Sequence, residues 1–346
     1  MILDIKTEID FDFESEEYRN LFARSNATGF QAPTWLSRFY ATMVPAHSAK
    51  PCIITFRDKG RLEGLVALIK RRKSGLDLLE ATDLGVSDYA APVLSPELDR
   101  QLRDDRDLQT AYRETLGPHD ILRIRPVRGE HCHAWQALTG IRPHVLGFSA
   151  HSVDLQPPYE DWRRQKLDPK MASMAARKAR RWRKQHQVSL ERLEDSASIS
   201  RAITTLAHLR KGRFEGDPVP LPHVTEFFAQ AAIACANSGE AETWMLSSDG
   251  DVASVLFGLT HNGRFLYLLL GADYDAHGRH SPGLQLFEGV IEDWMRRGGT
   301  NFDFTIGDEP FKKQFGTQAE RMSLFLNARS IKGKLALKLM RNRLVR

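Results

Sequence analysis

Apolar residues recur along this chain with two periods, and the switch between them marks out the elements. Short alternating or continuous runs predict strands over residues 2–8, 51–57, 62–70, 76–84, 121–124 and 145–153. Spacings of three and four predict helices over residues 16–23, 33–43, 102–116 and 133–138, the second with Trp35, Phe39 and Met43 on one stripe. Pro157-Pro158 interrupts the pattern and reads as a domain boundary. The order then repeats: a helix over 171–185, a strand over 188–193, helices over 198–211 and 223–237, and strands over 242–247, 251–260 and 264–270. Asp249-Gly250 and Asn262-Gly263 are hairpin turns between those last strands. Leu284, Phe287, Ile291 and Trp294 then fall on one helix face, Gly298-Gly299 ends that helix, and residues 301–305 return as strand with Phe302 and Phe304 on one side. The pattern predicts two α/β (α+β) domains, residues 1–156 and 157–346, each a mixed central sheet flanked by helices. The duplication is one of architecture, since no repeat is visible residue by residue.

Composition changes this picture little, and charge changes it more. With 346 residues, 42% hydrophobic and 27% charged, the chain has the make-up of a soluble protein long enough for two cores. No run approaches the roughly 20 apolar residues that cross a bilayer. The acidic, alternating start MILDIKTEIDFDF reads as a strand rather than a signal peptide. Three cysteines far apart (Cys52, Cys132, Cys235) argue against a disulfide framework and for a reducing cytoplasm. The triplet His131-Cys132-His133 lacks the second cluster that a tetrahedral metal site needs, so no metal is expected. The net charge of +5 is unevenly spread. Residues 177–184 read RKARRWRK, six basic in eight, within the basic helix 171–185, and the tail from Lys332 to Arg346 carries six more with no acid. Such runs meet an anion or form a solvated face.

Candidate chemistry gathers between Phe265 and Gly316. Ser281-Pro282 is a helix start signal, with serine as N-cap and proline at the first helical position. A helix start carries unpaired N–H groups and a partial positive charge, and glycine at Gly283 lets an anion approach the backbone. The sequel is Gly307-Asp308-Glu309-Pro310-Phe311-Lys312-Lys313-Gln314-Phe315-Gly316. Ser281-Pro282-Gly283 opening an amphipathic helix, Phe302-Asp303-Phe304 on a strand, and this G-D-E-P-F-K-x-x-F-G stretch together resemble the GNAT-type acyltransferases grouped around the cellulose-biosynthesis protein CelD. That family is related in fold to the FemAB peptidyltransferases. The resemblance extends to residues 206–214 and, more weakly, to residues 30–35 and to Ser87-Asp88-Tyr89; its specific part is the last third of the chain.

The resemblance implies two GNAT-like domains in tandem and acyl-CoA, acetyl-CoA above all, as donor substrate. The family's pyrophosphate turn corresponds to residues 278–283, of which only Gly283 matches, with Ser281 in place of the first glycine and Arg279 as a neighbouring source of charge. Lys312 matches the family's lysine and is the leading catalytic candidate, as a charge on the acyl transition state or a substrate phosphate. Asp308 and Asp273 are candidate bases for the acceptor proton. The family's general-acid tyrosine has no counterpart here, Tyr274 being a candidate substitute, and Asp88, Tyr89, His208, Arg213 and Tyr274 are candidates for substrate binding. The expected acceptor is a small molecule or sugar precursor of polysaccharide or envelope metabolism. A FemAB-like alternative takes aminoacyl-tRNA as donor, with the basic helix and Trp182 tracking RNA phosphates. A third reading is a scaffold without catalysis. Ile331, Leu335, Leu339 and Leu344 recur at near-helical spacing in the tail, so it either lies on an anionic membrane face or closes a domain as an ordinary terminal helix. The expected location is cytoplasmic, or membrane-associated through that tail.

Overall fold

Residues 3–340 are described by the computed structural model. The first half runs β1 (Leu3–Glu8), α1 (Glu16–Arg24), α2 (Pro33–Arg38), α3 (Val44–Ala46), a meander of β2 (Lys50–Asp58), β3 (Arg61–Lys73) and β4 (Leu76–Ala81), then β5 (Val93–Leu94), α4 (Pro96–Asp104), α5 (Arg106–Thr115), β6 (Ile121–Val127), α6 (Gly129–Thr139) and β7 (His144–Asp154). The second runs α7 (Tyr159–Lys166), α8 (Pro169–Gln185), β8 (Val188–Leu193), α9 (Ser196–Arg210), α10 (Pro222–Asn237), a meander of β9 (Ala241–Ser248), β10 (Asp251–His261) and β11 (Arg264–Ala272), then α11 (Tyr274–His277), α12 (Pro282–Arg296), β12 (Asn301–Ile306), α13 (Pro310–Gln314), β13 (Gln318–Ala328) and α14 (Ile331–Met340).

Contacts divide the chain into two compact units, but not at Pro157. One unit takes in the chain up to Ser149 together with the segment from Glu320 onward; the other is Ala150–Ala319. In the first, β1, β2, β3 and β4 pair antiparallel in order, β6 joins parallel to β4, and β13 closes the sheet against β6. In the second, β8, β9, β10 and β11 pair antiparallel, β12 joins parallel to β11, and the end of β7 closes the sheet from Ala150 to Asp154. Each sheet is thus finished by a strand from the other half of the sequence. The division falls before Pro157, within β7, because the end of that strand from Ala150 pairs with β12. β13, a strand whose start is polar and carries no apolar pattern, brings the segment from Glu320 back to the first unit.

Elsewhere the predicted elements stand with shifted ends. Trp35, Phe39 and Met43 are all fully buried, as their stripe requires. The helix predicted over residues 102–116 breaks at Asp105, whose carboxylate accepts the Leu108 N–H at 2.9 Å and starts α5 afresh. α7 was missed: its only buried residue is Trp162, so it shows no apolar stripe. The first core joins Phe56, Leu68, Leu79, Leu98, Trp135 and Phe325. The second is aromatic, with Phe265, Phe287, Phe302, Phe304 and Phe315 around Ile291. No helix among the described residues is long and apolar enough to cross a membrane. The expectations that fall on Ile2 and on the end of the tail, including Leu344, lie outside the described residues.

One close approach fixes a helix on the second sheet. A Cβ at Gly271 of β11 would stand 2.8 Å from the Leu206 carbonyl oxygen and 2.9 Å from its Cα, both main-chain atoms of α9. Main chain cannot turn aside as a flexible side chain does, so Gly271→Ala is expected to destabilise the chain by about 1–3 kcal/mol. A urea unfolding curve checks this; an unmoved midpoint would mean that α9 rests on β11 less tightly than these distances require.

Candidate functional site

Between β11 and β12 the parallel ladder is short. It pairs Arg264 with Asn301, Phe265 with Phe302 and Leu266 with Asp303, and then stops. β11 nevertheless runs on to Ala272, keeping its ladder to β10. The strands part because β12 kinks: its register against β7 shifts between Asp303 and Ile306. Thr305 at the kink has φ of 54°, a left-handed conformation that a β-branched residue adopts only under constraint. The constraint is visible. The Thr305 N–H donates to the wholly buried Asp303 carboxylate at 2.8 Å, and its hydroxyl donates to the Tyr267 carbonyl at 2.9 Å.

Lys312 completes the support. Its side chain is only 2% exposed, and the ammonium donates to the Ile306 carbonyl at 2.6 Å, faces the Thr305 carbonyl at 3.5 Å and pairs with Glu309 at 2.9 Å. Those partners occupy its N–H groups, so the geometry makes Lys312 the fastener of the β12 end. Just beyond the kink lies Asp308, paired with an imidazole. One carboxylate oxygen accepts the His151 Nε2–H at 2.9 Å; the imidazole is buried, whereas the carboxylate side chain is 47% exposed. The other ring nitrogen meets the Thr317 hydroxyl at 3.3 Å, and Thr317 donates to the Lys312 carbonyl at 3.0 Å. An exposed carboxylate held by a buried imidazole can take up a proton at a fixed place. The sequence motif contains Asp308 but gives no sign of its partner His151, which lies 157 positions earlier on an unremarkable strand.

The start of α12 stands beside the end of β11. Ser281 does not cap the helix with its side chain, as the sequence suggested; it sits in a left-handed conformation, and its hydroxyl accepts from the Lys178 ammonium of α8 at 2.8 Å. Pro282 has no N–H, so the helix offers those of Gly283 and Leu284. Gly283 is needed for packing: a Cβ there would lie 2.9 Å from both the Leu270 side chain and the Tyr274 hydroxyl. Arg279 is exposed, and its Nε–H donates to His280 at 2.9 Å. His280 is buried flat against Trp182, with ring centroids 4.9 Å apart. Trp182 also donates to the Ser248 hydroxyl at 3.0 Å, so it belongs to the core and leaves the outer face of α8 to Arg177, Arg180, Arg181, Arg183 and Lys184.

The remaining candidates scatter. Asp273 caps α11, its carboxylate accepting the N–H groups of Asp275 and Ala276 at 3.1 and 2.9 Å, which gives it a structural duty. Tyr274 is partly exposed beneath the Arg213 guanidinium, 4.9 Å from the ring centre; burial raises its phenol above the ordinary value while Arg213 opposes. Arg210 fixes the same corner, donating to Asp217 at 2.7 Å and to the Leu270 carbonyl at 3.1 Å. His208 is exposed on the outer side of α9. Asp88 and Tyr89 lie in the first unit, where Tyr89 is buried edge-on to Phe30 and under Arg128, a packing position. Among the described residues no group of three or more His, Cys, Asp and Glu is placed to hold a metal ion.

Comparison with known proteins falls on this same region. Residues 169–313, from α8 through Lys313, match the family model described as acetyltransferase (GNAT) domain. No curated protein matches the chain in sequence. Among solved structures, FemX superposes with a TM-score of 0.67 at 12% identity, covering 98% of this chain and 100% of that one. L-PGS from Bacillus licheniformis gives 0.58 at 12% identity, covering 98% of each chain. At such identities the likeness is one of fold. The second unit therefore carries a GNAT-type domain, the first repeats its order of elements, and the chain is an acyltransferase.

Two measurements test this geometry. Lys312→Met is expected to lower the unfolding free energy by about 1–3 kcal/mol, because it strips buried carbonyls of their donor. A variant that is inactive yet as stable as the wild type would return Lys312 to the chemistry. The second test is acid stability. Burial, then Arg279 and the neighbouring His186, Arg181 and His277, hold the His280 ring below its ordinary value of 6.5. The folded chain thus keeps it neutral while the unfolded chain takes up a proton, so its contribution is present above that value and lost as the pH falls below it. His280→Gln should flatten the acid side of a melting-temperature series; an unchanged slope would overturn the assignment.

Proposed function

We propose that the second unit transfers an acyl group from acyl-CoA to an amine or hydroxyl, with the donor's arm laid along β11 and its anionic part at the start of α12. One observation carries this reading: the β11–β12 ladder stops after Leu266, and beyond Tyr267, whose carbonyl accepts the Thr305 hydroxyl, β11 opens a main-chain edge toward the gap. An extended, amide-bearing arm pairs with such an edge as an added strand does. At its outer end Gly283 and Leu284 supply main-chain donors, and Arg279 supplies charge, for phosphate groups.

The reaction then needs one base in a fixed position. As the acceptor nitrogen or oxygen attacks the thioester carbonyl, its proton passes to the exposed carboxylate of Asp308, which His151 orients. The C–S bond breaks as the tetrahedral intermediate collapses, and the proton held on Asp308 goes to the departing thiolate. Main-chain N–H groups along the edge of β11 are the donors we assign to the oxyanion. The acceptor class, a sugar or polysaccharide precursor, rests on the likeness of residues 307–316 to the CelD-like sequences.

The first unit supports a single active half. Its corresponding parallel pair, β4 and β6, is stitched where the strands would part: the buried Glu80 lies between the partly exposed Arg71 and Arg123. The space beside it, about 10 Å³, has room for one water and no acyl arm.

A second reading replaces acyl-CoA by aminoacyl-tRNA. Its support is the exposed arginine face of α8, which touches the donor turn through Lys178 and Ser281. The fold likeness to FemX and L-PGS points the same way.

Asp308→Asn is expected to lower kcat by about 100- to 10,000-fold with little change in donor KM. His151→Gln should reproduce part of that loss. Wild-type turnover in Asp308→Asn would remove the pair from the mechanism. Thermal shifts with acetyl-CoA, longer acyl-CoAs and charged tRNA separate the two donors, since a ligand of the folded state raises the melting temperature.

A further inference from the structure

The last described helix turns its apolar residues outward. Ile331, Leu335 and Leu339 of α14 are 86%, 60% and 79% exposed. At about 100° per residue they form one stripe roughly 80° wide, with Lys334 and Lys338 along one border and Lys332 along the other. The opposite side is fastened to the first unit. Gly333 is buried, and a Cβ there would stand 2.3 Å from the Asp120 carbonyl oxygen. The Arg329 N–H donates to that same oxygen at 2.9 Å, Ser330 donates to the Asp120 carboxylate, and the Gly333 N–H donates to the Ser330 hydroxyl at 3.0 Å. A terminal helix that closed a domain would bury its leucine stripe. This one buries glycine and half-buries Ala336 and Leu337 instead.

We infer that α14 is a docking surface for the face of a bilayer containing anionic phospholipid. The charge pattern selects this occupant. An apolar stripe bordered by lysines on both sides is the arrangement of an interfacial helix, whose apolar residues enter the acyl boundary while the ammonium groups meet lipid phosphates. A nucleic acid has phosphates for the lysines but nothing for three exposed aliphatic side chains. A second copy of the chain would bring like charges together, since the sequence from Lys332 onward holds six basic residues and no acid.

Vesicle co-sedimentation of the full chain tests the inference. Phosphatidylcholine vesicles carrying phosphatidylglycerol should pull the chain down, pure phosphatidylcholine vesicles should not, and added salt should weaken the binding. Leu335→Asp combined with Leu339→Asp is expected to reduce binding about tenfold or more, with the melting temperature unchanged because both side chains are exposed. Lys332→Glu, Lys334→Glu and Lys338→Glu together should abolish it. Three results would overturn the inference: no binding to anionic vesicles, equal binding by the aspartate variant, or loss in that variant of a dimer seen by sedimentation velocity. Binding of tRNA that the lysine variant loses and the aspartate variant keeps, without vesicle binding, would assign the surface to nucleic acid.

Discussion

An ammonium group holds the end of β12 where the chain would otherwise continue straight. Thr305 in a left-handed conformation costs on the order of 1–3 kcal/mol, and a strand that kept its extended course would go on pairing with β11. The kink persists because three groups secure it: the Asp303 carboxylate on the Thr305 N–H, the Tyr267 carbonyl on its hydroxyl, and Lys312 on the carbonyls of Thr305 and Ile306. The consequences follow in order. The two strands separate, β11 opens an edge beyond Tyr267, and the chain leaving the kink sets Asp308 against His151. The F-K part of the sequence motif is thus read best as support for a shape, and the shape as what the chemistry requires.

The first unit shows the same plan without that device. Its helix after the meander also opens with serine and proline, Ser95-Pro96-Glu97, where the second has Ser281-Pro282-Gly283. Ser95 is an ordinary N-cap, accepting the Leu98 N–H at 3.2 Å from an extended backbone. Ser281 sits left-handed with its hydroxyl turned to Lys178, so the N–H groups of its helix receive no side-chain cap. Glu97 stands where Gly283 permits close packing. Two helix starts that look alike as sequence therefore differ in whether their main-chain donors are satisfied. In the same unit Glu80 draws Arg71 and Arg123 across the place where the strands would part.

Much of this was legible in the sequence, and what was not has physical causes. The meanders were legible because Asp249-Gly250 and Asn262-Gly263 supply hairpin chemistry and the strands between them are short and apolar. Helix α12 was legible from its stripe, with Phe287 and Ile291 buried as that face demands. Asp308 and Lys312 both stand out in the motif, but the buried carbonyl partners that engage Lys312 cannot be read there, because a lysine in a polar stretch reads as a free charge until those partners are seen. Asp273 was misread for a similar reason: a carboxylate at a strand end serves equally as base or as helix cap, and only the N–H groups of Asp275 and Ala276 decide. His151 carried no signal at all. Trp182 among six basic residues reads as part of a face tracking RNA phosphates, although it is the one fully buried position in that run.

The exchange of closing strands explains why a linear boundary could not succeed. A break at Pro157 assumes that each half of the sequence finishes its own sheet. Instead β7 carries Ala150–Asp154 into the second sheet, and β13 carries the segment from Glu320 into the first. His151 arrives in the second unit on that borrowed strand. Cutting the chain at Pro157 would remove from the second half both the partner that closes β12 and the imidazole that orients Asp308. The matched domain, residues 169–313, is therefore smaller than the compact unit: its Asp308 is held by a residue that lies before it in the sequence. Duplication of the architecture did not yield two independent domains, because each sheet depends on a strand that the other half encodes.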